Sequence, residues 1–122
     1  MVKALFISFP ASDYEASKDF YENVIGLTIR REFNDGPHRF TNYDLGGLSL
    51  KLFEWTEKWH GSGHSGLFIE TEQLDQMITR VRSRGGKRSD IVVQKWGGRS
   101  CTVRDPFGNL FDLIDANMKG DA

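Results

Sequence analysis

The sequence predicts an α+β fold in which a β-α-β-β-β module is written twice. Strand-like and helical apolar patterns recur in the same order, at a spacing of roughly 60 residues. Each half carries one amphipathic helix, enough to cover one face of its own sheet. The uncovered faces of two such sheets, curling toward each other, would enclose a groove. At 122 residues the chain has room for both modules in one domain, with the helices outside. Module one is placed at about 4–53, a connector at 54–66, module two at about 67–114 and a tail at 115–122.

In module one, Ala4 to Phe9 is an apolar run ended by Pro10, the pattern of a buried strand. Ser12 and Glu15 have the spacing of a capping box. The helix they open sets Ala16, Phe20, Tyr21 and Val24 on one side, and Gly26 is suited to end it. Leu27 to Phe33 reads as a strand, Asn34-Asp35-Gly36-Pro37 as a hairpin turn and Arg39 to Asp44 as the returning strand. After the Gly46-Gly47 turn, Leu48 to Phe53 alternates, with Leu48, Leu50 and Leu52 opposite Ser49, Lys51 and Phe53.

The order then begins again after the polar stretch from Glu54 to Gly66. Leu67 to Ile69 is a short strand. Thr71 can cap a helix that carries Leu74, Met77, Ile78 and Val81 on one face and stops at Gly85-Gly86. Ile91 to Trp96, Ser100 to Arg104 and Leu110 to Ile114 complete three strands. Between the last two, Asp105-Pro106-Phe107-Gly108-Asn109 is a tight turn: Asp and Pro start it and Gly supplies positive φ. The end, Asn117 to Ala122, is polar and expected to fray.

Composition narrows the function classes. Sixteen Lys and Arg against 17 Asp and Glu leave a net charge of −1, which argues against a nucleic-acid-binding surface. Arg80, Arg82, Arg84, Lys87 and Arg88 read as the solvated face of the second helix. No apolar run is long enough to span a bilayer and no leader pattern opens the chain, so no membrane partner is expected. Cys101 is the only cysteine, which fits a cytoplasmic location, and it reads as a buried strand residue.

The chain resembles the vicinal oxygen chelate superfamily, which includes glyoxalase I, bleomycin-resistance proteins and extradiol dioxygenases. Asp13, Phe20-Tyr21, Gly26-Leu27 and Asp105-Pro106-Phe107-Gly108-Asn109 carry the resemblance. Trp96-Gly97 followed by Arg99 looks closest to the bleomycin-resistance-like branch. The resemblance implies paired modules with cupped sheets, a homodimer, and a divalent metal held by His, Gln or Glu on the first and last strands of each half. Carried over one position at a time, those ligands fall on Phe6, on Lys51 (or Leu50 with a slip), on Gly66 with Phe68 next on the same face, and on Asp112. Asp112 alone is a usable carboxylate, and His64 would need a shift to join it. No metal or other cofactor is therefore expected, with Asp112 and His64 as weak metal candidates. His38, His60 and His64 otherwise read as surface residues, the last two on a Gly-Ser loop.

Strand alternation puts Phe6, Ser8, Lys51, Phe53, Phe68 and Asp112 on the helix-free faces, with Trp96, and Trp55 or Trp59, toward the rim. Phe6, Ser8, Lys51, Phe53, Phe68, Trp96 and Asp112 are the candidate ligand-binding residues, and a Lys51–Asp112 contact is expected where the metal would be. The expected function is binding of a small aromatic or amphipathic molecule without chemistry, as in antibiotic resistance by sequestration. Two alternatives stay open: a metal-dependent lyase, isomerase or dioxygenase, and a metal-free acid–base enzyme using Lys51, Asp112 or a histidine.

Overall fold

A computed structural model describes residues 5–36, 38–55, 64–84, 86–95 and 97–115. The readings placed on Ala4, Pro37, Trp59, His60, Gly85, Trp96 and the tail from Asn117 lie outside them. The chain divides into two compact units, Met1–Gly61 and Ser62–Ala122. Each unit is an open mixed sheet with one helical segment against it, as the α+β reading expects.

Unit one runs β1 (Phe6–Ala11), α1 (Tyr14–Asp19, continued by a π-helical stretch Phe20–Ile25), β2 (Thr28–Asn34), β3 (Arg39–Asp44) and β4 (Ser49–Glu54). Its sheet order is β1-β4-β3-β2, with β1 parallel to β4 and the other pairs antiparallel. Phe9, Tyr14, Phe20, Tyr21, Val24, Tyr43, Leu50 and Leu52 are buried between helix and sheet. Tyr43 Oη donates to Glu22 Oε2 at 2.8 Å, and burial together with that carboxylate pushes the phenol pKa well up.

Two expectations are corrected here. Pro10 does not end β1, which continues to Ala11; β1 is the end strand of its sheet, where a missing N–H is tolerated. The helix cap is Asp13, not Ser12: the Asp13 carboxylate accepts the Ala16 amide at 3.1 Å. Gly26, in contrast, ends the helix in the left-handed conformation, at φ 87°, as expected.

Unit two repeats the plan with β5 (His64–Glu70), α2 (Leu74–Ser83), β6 (Lys87–Arg88), β7 (Val92–Val93), β8 (Arg99–Arg104) and β9 (Leu110–Asp115). The order is β5-β9-β8-β6, with β7 also pairing β8 and β5 parallel to β9. Leu67, Leu74, Ile78, Val81, Cys101, Val103, Phe111 and Leu113 form the core. Of the expected strand from Ile91 to Trp96 the described residues form only β7, Val92–Val93, and the short strand β6 before it was unforeseen. Ser89 separates them: its amide donates to Thr102 O at 2.8 Å and its Oγ accepts the Thr102 amide at 2.9 Å. Lys87 and Arg88 therefore stand on a strand and not on the solvated face of α2. The α2 cap is Gln73; the Thr71 hydroxyl only accepts the Gln73 amide.

Candidate functional site

Register brings three phenylalanines together on the helix-free face of unit one. Phe33 lies opposite Phe40, and Phe40 opposite Phe53, on successive strands. Their neighbours Thr41 and Leu52 point to the helix side, where Tyr14 hydrogen-bonds Thr41. The Phe33 and Phe40 rings stack at 5.4 Å, and Trp55 meets Phe53 edge-on at 6.0 Å. Ser8, Phe33, Phe40, Lys51, Phe53 and Trp55 line a cavity of about 710 Å³ that also reaches Asp35, His38, Arg39 and Glu54. That volume lies in the range of small-molecule sites.

The charged groups differ in how far they are committed. The Arg39 guanidinium grips Glu54 at 2.6 and 3.1 Å and Glu15 at 3.1 Å. This pairing holds the Glu54 carboxyl below its ordinary range and raises the Arg39 pKa. Lys51 is half-buried, and its ammonium lies 4.5 Å from the Phe40 ring centre and 6.0 Å from that of Phe6. It has no ion pair with a described residue. An ammonium above a ring and beside an aromatic cavity is equipped to meet an acidic group of a ligand.

Of the candidate ligand residues, Ser8, Lys51 and Phe53 line this cavity and Phe6 lies beside Lys51, 59% exposed. Phe33, Phe40, Arg39 and Glu54 escaped the sequence reading. Their signal was present in the hairpin: the turn at Asn34 to Gly36 fixes the pairing that sets Phe33 against Phe40. Trp55 does reach the cavity.

Phe68 and Asp112 sit opposite each other on the helix-free face of unit two, Phe68 58% exposed. Within its unit Asp112 is held by His64 and Thr102. The stretch from His64 to Phe68 lies opposite the shorter stretch from Leu110 to Asp112, so β5 bulges, and Gly66 takes φ 85° inside the bulge. That slip draws His64 onto Asp112. The expected loop position of His64 is thus corrected: it begins β5. The Gly66 amide donates to His64 Nδ1 at 2.8 Å, which places the proton of the neutral ring on Nε2. Nε2 then donates to Asp112 Oδ1 at 2.8 Å, and the Thr102 hydroxyl donates to the same oxygen at 2.7 Å.

The positions at which the resemblance implies a metal therefore hold a ring without a donor atom at Phe6, an ammonium at Lys51, a glycine at Gly66 and a carboxylate at Asp112. Both nitrogens of the nearby His64 are already bonded. Among the described residues no three His, Cys, Asp or Glu side chains cluster so as to hold a metal ion. Arg99, of the Trp-Gly-x-Arg run, is committed to Asp75 and Asp115, each at 3.2 Å.

Known proteins resemble this chain in sequence and in fold. A lactoylglutathione lyase of Arabidopsis thaliana is 26% identical over 121 residues, covering 90% of this chain and 43% of that protein. The chain thus spans less than half the length of this plant relative. The lactoylglutathione lyase of Haemophilus influenzae is 25% identical over 114 residues, covering 84% of each. Among solved structures, TnmS3, an antibiotic binding protein from Streptomyces sp. CB03234, superposes with a TM-score of 0.73 at 26% identity, over 94% of this chain and 96% of that one. The sequence profile of the Glyoxalase/Bleomycin resistance protein/Dioxygenase superfamily matches residues 4–113. Because that match runs through both units, the chain belongs to this superfamily.

Proposed function

We propose that this protein binds a small planar aromatic or amphipathic molecule on the Phe33–Phe40–Phe53 face and holds it without chemistry. The observation that carries the reading is a cavity of about 710 Å³ walled by these rings and Trp55, with the Lys51 ammonium in its wall. The rings supply stacking surface, and Lys51 orients a ligand that carries an acidic group. The antibiotic-binding relative supports this kind of role, and sequestering a toxic aromatic compound in the cytoplasm is the biological form it would take. The protein acts as a homodimer in this reading, and exposed Phe6, Phe68 and Val93 offer apolar surface to a second copy.

A resident catalytic metal does not suit the residues at the family's positions. Zinc sites of that kind commonly take three protein ligands, whereas Phe6 and Gly66 offer no side-chain donor and Lys51 repels a cation. The lactoylglutathione lyase relatives favour a second reading, a metal-dependent lyase. The two are separated by metal analysis of the purified protein together with quenching of tryptophan fluorescence by a panel of aromatic acids and neutral aromatics. The binding reading expects saturable quenching, strongest for the acids, in protein stripped by chelator. Stoichiometric Mn, Ni, Zn or Fe whose removal abolishes a measured activity would overturn it.

A further inference from the structure

The aromatic cavity of unit one has two unlike ends. Register sets the helix-free face of this sheet in rows. In one row Lys51 lies opposite Ser8 on β1. The next row along the strands is aromatic, with Phe53 opposite Phe40 and Phe40 opposite Phe33. One step further stand Trp55, His38 and Asp35, where pairing runs on past the strand ends. The Trp55 amide donates to Ala11 O at 2.9 Å, and the Asp35 amide to His38 O at 3.1 Å. Residues of all three rows line the same cavity. Lys51 and Asp35 thus stand on opposite sides of Phe40, and the outer rows are roughly 13 Å apart along the strands.

The ends differ in charge. At the first, the Lys51 ammonium has no ion pair with a described residue, and the Ser8 hydroxyl has no hydrogen bond with one. Together they offer two donors to the two oxygens of a carboxylate. At the second, Asp35 carries a carboxylate with no ion pair among the described residues. One of its oxygens accepts the His38 amide at 3.0 Å, which fixes it in the turn. The Arg39 guanidinium at this end is already shared by Glu54 and Glu15, so it leaves the charge of Asp35 uncompensated. A ligand that is acidic at both ends gains at Lys51 and loses at Asp35, whereas one with a cation at its far end gains at both. We propose that the cavity takes a dipolar ligand, a flat molecule about two rings long with a carboxylate at the Lys51–Ser8 end and an ammonium at the Asp35 end. This inference rests on the binding reading above and adds the second charge to it.

The test uses the full chain, titrated calorimetrically at low ionic strength with two biphenyl carboxylic acids. One carries an aminomethyl group at the far para position, and the other a methyl group there. Titration at about pH 8, where imidazole is ordinarily uncharged, keeps His38 from competing for Asp35. Asp35 is exposed, so the expected gain is modest: the amine binds about threefold more tightly than the methyl compound. In Asp35→Asn, which keeps an acceptor for the His38 amide, that ratio is expected to fall to about one. Asp44→Asn removes the same charge from the same face, on the far side of the Lys51 row, and is expected to keep the ratio. Equal affinity for the two acids in the wild-type protein would overturn the dipolar ligand and leave the binding reading standing. So would a ratio that survives Asp35→Asn, or one that Asp44→Asn abolishes as fully. Failure of either acid to bind at all would overturn the binding reading and this inference with it.

Discussion

Asp105 organises the turn that most clearly marks this family. It is 3% exposed, and one carboxylate oxygen accepts the amides of Phe107, Gly108 and Asn109 at 2.8 to 3.0 Å. The other accepts the Asn109 side-chain amide at 2.7 Å. Removing the carboxylate strands several buried donors together, so Asp105→Ala is expected to lower the unfolding free energy by about 3 kcal/mol. The readout is a lower urea midpoint at unchanged slope, and an unchanged midpoint would mean that backbone bonds alone hold the turn. Cys101 makes a different case. It is 2% exposed in β8, and burial pushes its thiol pKa up. A thiol reagent is expected to leave it untouched in the native protein and to modify it fully in urea. Rapid modification of native protein would contradict the packing of unit two. Its burial was legible from its place in an apolar strand, because packing needs only the alternating pattern.

The repeat extends to an ion-pair motif that element order alone did not disclose. Arg39 starts β3, pairs with Glu54 at the end of β4 and with Glu15 in the first turn of α1. Arg99 starts β8, pairs with Asp115 at the end of β9 and with Asp75 in the first turn of α2. Each arginine thus ties a helix start to two strand ends, and the second set stands about sixty residues after the first. The residues were visible in the sequence, but their meeting depends on register, which charge patterns do not fix. The same limit explains the helix caps and the start of β5. Several polar residues near each helix start could cap it, and only backbone geometry selects Asp13 and Gln73. His64 enters β5 through a bulge at Gly66, a left-handed position that a residue count cannot place. The Arg39 pairing sets the sign of one pH effect. The Glu54 pKa is lower in the folded chain than its ordinary 4.5, chiefly through the guanidinium hydrogen bond. Its stabilising contribution is therefore full above 4.5 and is lost as pH falls through the folded value. Thermal unfolding between neutral pH and pH about 3 is expected to show a smaller acid-induced drop for Glu54→Gln than for wild type, with the variant less stable at neutral pH. Identical pH profiles would show that the pair contributes nothing in solution.

The two units share a topology and differ in what their helix-free faces carry. Unit one presents three phenylalanines, a tryptophan and one lysine. Unit two presents a bonded His64–Asp112–Thr102 chain and the facing cations Lys87 and Arg104. A duplicated scaffold keeps its core pattern because both sheets must bury one face, whereas the open face is unconstrained by folding and can diverge toward different ligands. This asymmetry makes the proposed roles separable by mutation. Phe53→Ala removes a stacking surface from unit one and is expected to weaken an aromatic acid by about tenfold, or roughly 1.4 kcal/mol, for acids and neutral aromatics alike. Lys51→Met keeps the stem and removes the charge, so it is expected to weaken the acids and spare the neutral compounds. Arg104→Gln should change neither, because Arg104 does not line this cavity. Fluorescence titration of the three variants with a matched acid–amide ligand pair measures all of these effects. If Lys51→Met weakens acid and amide equally, Lys51 contributes packing and not charge recognition. If Arg104→Gln weakens the aromatic acid as much as Lys51→Met does, the acid is read by long-range charge and not by the ammonium above Phe40.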